Sequence, residues 1–285
     1  MTNSQDMTPL PDIANPQDWI GHARHVEDMV TPRLLAGFRA TLDAMHCAGG
    51  DAPGLHWCLA PDILGPALLG RDGHPRPGLV LPDLGLPRRM WAGGRIWHHA
   101  SLAAGDRITR ISTVVDISFK EGRTGRLGFV TVEHRYLRGD TLCLHEEQDI
   151  VYRPDPGTGT AAPTPPPAPL WKDAQARLPD ITPTLLFRYS ALTFNGHRIH
   201  YDQPYATGTE GYGGLVVHGP MQATWMLHLA RDMLGRMPAS FSYRGLSPLI
   251  CGRAAVVEGR AGAGGLELRV RDKQANVVTM QASAS

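Results

Sequence analysis

QATWMLHLARDML (222–234) is followed by AAVVEG (254–259), LELRVR (266–271) and VVTMQA (277–282). Trp225, Met226, Leu229, Met233 and Leu234 fall on one stripe at helical spacing, which predicts an amphipathic helix. The three later runs are β-branched or alternating and are separated by Gly- or Asp-containing turns, so they read as strands. Upstream, the same plan recurs. Thr31-Pro32 reads as a helix cap followed by Pro at the first helical position. Leu34, Leu35, Phe38, Leu42 and Met45 then form an apolar face that ends at Gly49-Gly50. RITRISTVVD (107–116), GFVTVEHRYL (128–137) and TLCLHEEQDIVY (141–152) predict strands, with turns at Lys120–Arg126 and Arg138-Gly139-Asp140.

The two halves can be superposed. RIWHHASLAAGD (95–106) advanced by 147 positions falls on SYRGLSPLICGR (242–253), matching Leu102 with Leu249 and Gly105 with Gly252. PDPGTGTAAPTPPPAP (154–169) separates the halves and has the composition of a solvated linker. The expected organisation is therefore an N-terminal unit at 1–153, a linker at 154–169 and a C-terminal unit at 170–285. Each unit is one helix with an antiparallel sheet, an α+β class.

Composition narrows function. The 285 residues carry 28 Lys+Arg and 27 Asp+Glu, a formal net charge of +1, so no basic field favours nucleic acid. No apolar run approaches the ~20 residues of a membrane helix. The polar, proline-bearing start MTNSQDMTPLPDIANPQDW does not read as a signal peptide. Cys47, Cys58, Cys143 and Cys251 are too dispersed for a disulfide framework or a zinc site, which suits a reducing cytoplasm.

Chemistry concentrates in FRYSALTFNGHRIHYDQPYATGTEGYGGLVVHGP (187–220). Its His, Tyr, Asn and Arg residues supply hydrogen-bonding and proton-transfer groups. VVHGP runs apolar residues into a turn and then the helix, so the Gly219 N–H at the helix start can receive a developing oxyanion. Asn195 and His200 can orient and deprotonate a water, since imidazole is the side chain suited to this at neutral pH. HRIH with His218 has no carboxylate at ligand spacing, and no metal is expected. Gly122–Gly125 and Gly262–Gly265 read as hairpin turns, because neither leads from a strand into a helix.

FRYSALTFNGHRIHYDQPYA with EGYGGLVVHGP resembles the hydratase motif of MaoC-like enoyl-CoA hydratases and dehydratases. The closer resemblance is to two-domain mesaconyl-CoA hydratases and mitochondrial-type 3-hydroxyacyl-thioester dehydratases. LPRRMWAGGR (86–95), KEGRTG and HEEQDIVYR (145–153) extend it through both halves, over roughly residues 55–280. The resemblance implies a double hotdog, two helix-wrapped antiparallel sheets side by side, with a catalytic second half and a degenerate first half that shapes the acyl and pantetheine channel. It implies no cofactor: the acyl-CoA thioester is the substrate. His200 is the expected acid/base, Asn195 its water-positioning partner and Gly219 the oxyanion donor. Thr193 stands where the broader motif has an Asp. Tyr189, Ser190, Thr193, Arg198, Tyr201 and His218 are expected around the substrate, with Arg89, Trp91 and Gly93 lining the channel from the first half. Arg198 either holds a substrate carboxylate or makes an ordinary ion pair, and Asp202 reads as structural. The expected reaction is reversible hydration of a short branched dicarboxylic enoyl-CoA, itaconyl-CoA or mesaconyl-C4-CoA, to citramalyl-CoA. The alternatives are a general 3-hydroxyacyl-thioester dehydratase and a non-catalytic acyl-CoA-binding hotdog. A monomer and a homodimer are equally compatible.

Overall fold

In the computed structural model, residues 15–122, 125–155 and 165–285 are described. The first half contributes β1 (Ala23–Met29), α1 (Pro32–Leu42), β2 (Arg88–His98), β3 (Arg107–Gly122), β4 (Gly125–Arg138) and β5 (Thr141–Arg153). The second contributes β6 (Gln175–Arg177), α2 (Pro183–Thr193), α3 (Gly219–Leu234), β7 (Ser240–Gly245), β8 (Ala255–Gly262), β9 (Gly265–Asp272) and β10 (Val277–Ala284). All ten strands join one antiparallel sheet in the order β1-β3-β4-β5-β2-β7-β10-β9-β8-β6. The order reads the same from either end once β1 is equated with β6, β3 with β8, β4 with β9, β5 with β10 and β2 with β7.

This symmetry gives the sequence repeat its physical meaning. The 147-residue offset carries Arg95 onto Ser242, and those two residues face each other across the β2·β7 junction. Gly105 and Gly252 occupy equivalent turns, at φ +94° and +81°. Side chains are crowded out of the junction itself: a Cβ on Gly93 would lie 2.5 Å from the Tyr243 carbonyl oxygen. Gly93 thus permits the two half-sheets to meet.

The helices depart from the expected plan. α1 ends at Leu42, with Asp43 at φ +46° and a short 3-10 turn to Met45, well before Gly49-Gly50. Its counterpart is α2, not α3: each starts with a Thr side chain capping the third helical N–H, Thr31 for Leu34 and Thr182 for Leu185, followed by Pro. Among the described residues the first half has no equivalent of α3. Its chain between α1 and β2 is Gly- and Pro-rich and forms 3-10 turns, including Leu55–Cys58, because Pro removes helical donors and Gly favours the unfolded chain. Among the described residues the long helix therefore lies in the second half. Met221 to Ala230 are buried on every side of α3, which packs on β7 to β10. Apolar residues of both halves share the surrounding core, Phe38, Leu55, Ile96 and Tyr136 with Trp225, Phe241 and Val270.

Of the linker at 154–169, residues 156–164 lie outside the described residues, as do 123–124 of the first hairpin turn and the N-terminal 1–14. The Gly262–Gly265 turn is a β8–β9 hairpin. No helix among the described residues is long and apolar enough to cross a membrane.

A buried carboxylate helps hold the halves together. Glu146 on β5 accepts from Trp57 Nε1 and from Tyr243 Oη, each at 2.9 Å, and faces His56 Nε2 at 3.5 Å. Burial pushes its pKa up, but His56, His134 and Trp57 outweigh burial and hold it at about 2. The ionised form is thus the folded form. Its contribution is complete above the ordinary 4.5 and is lost as pH falls from there toward about 2. Removing one partner of a buried charged network typically costs ~3–5 kcal/mol. Glu146→Ala is expected to lower stability in urea unfolding at pH 7 by that amount, and by less at pH 3; equal losses at both pH values would contradict an ionised Glu146.

Candidate active site

Three segments converge at the start of α3. α2 ends with Phe194 in the left-handed region (φ +51°), whose N–H bonds Ser190 O. The chain then turns through Asn195 into a 3-10 turn at Arg198–His200. The third segment, Leu215–His218, is clamped on both sides: Val216 N–H donates to Ile199 O at 2.9 Å, and Val217 N–H to Leu249 O at 2.8 Å.

Val216 also fixes the tautomer of His200. Its carbonyl is 2.6 Å from His200 Nδ1, so Nδ1 carries the proton and Nε2 keeps a lone pair. The His200 ring stacks on His218 with centroids 3.6 Å apart and an interplanar angle of 18°. Burial, and then the neighbouring His197, hold the His200 pKa well below 6.5. Burial, and then His200, do the same for His218. Both rings are neutral at neutral pH, leaving a proton acceptor stacked on the residue that immediately precedes Gly219. The N–H of Gly219, the first residue of α3, has no acceptor among the described residues. A Cβ there would lie 2.5 Å from Trp91 Cε3, so glycine is required by the approach of this β2 side chain.

The other expected residues divide. Ser190 Oγ lies 2.8 Å from His218 Nε2. Asn195 Oδ1 accepts from His197 N–H at 2.9 Å, and its NH2 has no partner among the described residues. Thr193 Oγ1 is bonded to Tyr189 O at 2.8 Å and serves the end of α2. Tyr189 is buried behind His218, with ring centroids 5.1 Å apart and its hydroxyl 3.4 Å from Thr224 Oγ1. Tyr201 is exposed and donates to Gly196 O at 2.9 Å. Arg198 donates from Nε and Nη2 to Asp202 Oδ2 at 3.0 and 2.7 Å and from Nη1 to Arg71 O at 3.0 Å, with its guanidinium 4.1 Å from the Tyr205 ring. Of the two alternatives for Arg198, the ion pair is the one present in this structure. Asp202 has the structural role expected of it.

The site also takes a contribution that sequence reading missed. Asp72-Gly73-His74, in the irregular part of the first half, docks on the Arg198–His200 turn. Arg198 N–H donates to Asp72 O at 2.8 Å, and the His74 ring lies 4.3 Å from His197. A Cβ on Gly73, at φ +85°, would collide with the Gly196 carbonyl. The local signal was the Asp-Gly turn, in which Asp72 Oδ1 accepts from His74 N–H at 3.1 Å. Asp72, His74 and His197 hold ligand atoms close enough for a cation. Arg89 Nη2, 3.4 Å from Asp72 Oδ2, puts a positive charge against that use. Burial, and then His74, lower the His197 pKa to about 2.

The model of the family Hydroxyacyl-thioester dehydratase type 2 matches residues 54–251. The chain belongs to this family. Within it, the chain is 44% identical over 235 residues to the mesaconyl-C(4)-CoA hydratase of Chloroflexus aurantiacus, covering 81% of this chain and 84% of that protein. Among solved structures, a MaoC-like dehydratase from Phytophthora capsici covers 94% of this chain and 98% of its own at a TM-score of 0.65 and 16% identity. A Mycobacterium tuberculosis protein described as having a double hotdog fold covers 93% and 96% at 0.55 and 16%. These likenesses establish the fold of this type 2 dehydratase-family chain as a double hotdog. The chain is an enzyme of the hydratase/dehydratase class.

Proposed function

We propose that this hydroxyacyl-thioester dehydratase family member hydrates the double bond of a short dicarboxylic enoyl-CoA, reversibly, with mesaconyl-C4-CoA as the leading substrate and citramalyl-CoA as the product. The observation that carries the reading is the stacking of His200, with its Nε2 lone pair, on the residue that precedes the Gly219 N–H. A base and an oxyanion donor are thereby held side by side. The 44% identity to a mesaconyl-C(4)-CoA hydratase supports the choice of acyl group.

Water attacks Cβ while His200 Nε2 takes its proton, and the free NH2 of Asn195 holds the water oxygen. The electron pair of the double bond moves onto the thioester oxygen, where Gly219 N–H and the α3 dipole stabilise it. The proton on His200 then passes to Cα, and the enolate collapses. Mesaconyl-C4-CoA has its double bond conjugated with the thioester and suits this path directly. In itaconyl-CoA the double bond lies one carbon further away and needs an allylic proton shift first, which places it second.

With Arg198 paired, Arg89 is the cation best placed for the free carboxylate. It is buried two residues from Trp91 on β2, donates from Nη2 to Pro75 O at 2.7 Å and more weakly to Asp72 Oδ2 at 3.4 Å, and its charge reaches His197. A charged hydrogen bond is worth ~1.5–3 kcal/mol, so Arg89→Met is expected to raise KM for mesaconyl-C4-CoA about 10- to 100-fold and that for crotonyl-CoA by less than about 3-fold. Equal effects on both substrates would remove Arg89 from carboxylate recognition.

Mass-spectrometric turnover of mesaconyl-C4-CoA, itaconyl-CoA, crotonyl-CoA and a longer enoyl-CoA tests the proposal. Fastest gain of one water by mesaconyl-C4-CoA is expected. Preference for crotonyl or longer chains would move the reading to a general 3-hydroxyacyl-thioester dehydratase, and binding of every ester without turnover would overturn it.

A further inference from the structure

The fold leaves one nitrogen of His218, the residue that precedes Gly219, without a partner among the described residues. The ring is fully buried; Nε2 faces Ser190 Oγ at 2.8 Å, while Nδ1 is buried with no hydrogen-bond partner. Ser190 Oγ has no other partner among the described residues. Two arrangements of the protons compete. If the Ser190 hydroxyl donates to Nε2, the hydroxyl hydrogen and Nε2 are satisfied, and only an Nδ1–H is unmet. If Nε2–H donates to Ser190, the hydroxyl hydrogen and the Nδ1 lone pair are both unmet. Each buried unmet group costs about 1–3 kcal/mol, so the first arrangement prevails and Nδ1 carries the ring proton.

His218 is also the residue preceding the first turn of α3, and its side chain makes no cap hydrogen bond. A side chain in that position normally accepts from a helical N–H; a protonated Nδ1 cannot. Nδ1 is the ring nitrogen bonded to Cγ, one bond nearer than Nε2 to the backbone that continues into Gly219.

We propose that His218 is a catalytic residue whose neutral Nδ1–H acts with Gly219 N–H as the second donor to the thioester oxygen as enolate character develops. Ser190 is a positioning residue, setting the tautomer through Nε2. This inference rests on the reaction assigned under Proposed function. No proton leaves or reaches His218: water gives its proton to His200, the double-bond electron pair rests on the oxygen between two N–H donors, and Cα then takes the proton from His200. A neutral imidazole suits the task because it keeps its N–H through the step.

The test uses His218→Ala, His218→Asn, whose amide NH2 replaces Nδ1–H, and Ser190→Ala. Turnover of mesaconyl-C4-CoA is followed against pH. The carbonyl stretch of a carbon-13-labelled thioester bound to His200→Ala is read by infrared spectroscopy. His218→Ala is expected to lower kcat/KM about 10²–10³-fold with the acid limb of the profile unmoved, and His218→Asn to recover at least about 10-fold of that loss. The bound carbonyl should absorb below its solution frequency in His200→Ala, return toward it when His218→Ala is added, and stay low when His218→Asn is added. Should His218→Ala fail to fold, the His218→Asn and Ser190→Ala spectra decide the matter alone. Equal loss in both His218 variants with a displaced acid limb would make His218 a titrating acid/base, and a carbonyl frequency indifferent to residue 218 would make it structural; either result overturns the inference. Failure of the wild type to hydrate any thioester would instead overturn the reaction on which it rests.

Discussion

His200→Ala is expected to reduce kcat/KM on mesaconyl-C4-CoA by about 10³-fold or more while the protein stays folded. Loss of a general acid/base typically costs 10²–10⁴ in rate, and no other described imidazole stands ready to replace it. His218 Nε2 is engaged with Ser190, and the His197 ring packs on His74, with burial and then His74 lowering its pKa to about 2. The structural cost is small by comparison. The His200 side chain makes one hydrogen bond, to Val216 O, a loss of about 1–3 kcal/mol, so the urea midpoint falls far less than activity does. The pH profile carries an independent sign. Burial, then His197, depress the His200 pKa well below 6.5. The proton-accepting form therefore persists as pH falls through 6.5, and the acid limb of kcat/KM lies well below that value. A limb at or above 6.5 would mean that the base is a group with an ordinary or raised pKa.

Gly219→Ala is the second large effect, and it reaches the chemistry through packing. The added Cβ meets Trp91 Cε3 at 2.5 Å, closer than atoms can stay, so either the start of α3 or the indole must shift. The indole has little freedom: it lies 4.6 Å from the Tyr243 ring and 5.5 Å from the Trp57 ring. Overpacking of this kind typically costs ~1–3 kcal/mol of stability. Displacing an oxyanion donor costs about 10²–10³ in rate. Both losses are expected in Gly219→Ala, by urea unfolding and by kcat/KM. Trp91→Leu in the same chain removes the clashing atom and is expected to recover most of the stability. If Gly219→Ala is as active as the wild type, the N–H at the helix start is not the oxyanion donor.

The antiparallel sheet was legible in the sequence because period-two runs and hairpin turns are local signals. The repeat was legible because its two halves keep left-handed glycines at Gly105 and Gly252. α2 escaped notice although Thr182-Pro183 gives the same start signal as Thr31-Pro32. Its apolar residues do not form a clean stripe: Leu186 and Tyr189 are buried, while Phe187 is exposed beside them. Residue chemistry points to His200, Asn195 and Gly219, and the family resemblance adds His218 around the substrate. Sequence reading placed Arg198 at the substrate or in an ion pair, and the pairing with Asp202, four residues on, was visible in the spacing. Asp72 and His74 could not be found in that way. They reach the site across more than a hundred residues of chain, through an irregular segment with no periodicity to mark it, and only the fold brings Asp72 O to Arg198 N–H.

The most direct measurement is hydration of mesaconyl-C4-CoA in oxygen-18 water, with wild type and His200→Ala side by side and products weighed by mass spectrometry. The account predicts a product heavier than its substrate by one labelled water with the wild type, and unchanged substrate with the variant over the same time. Unchanged substrate with both, or equal labelled product from both, would contradict it.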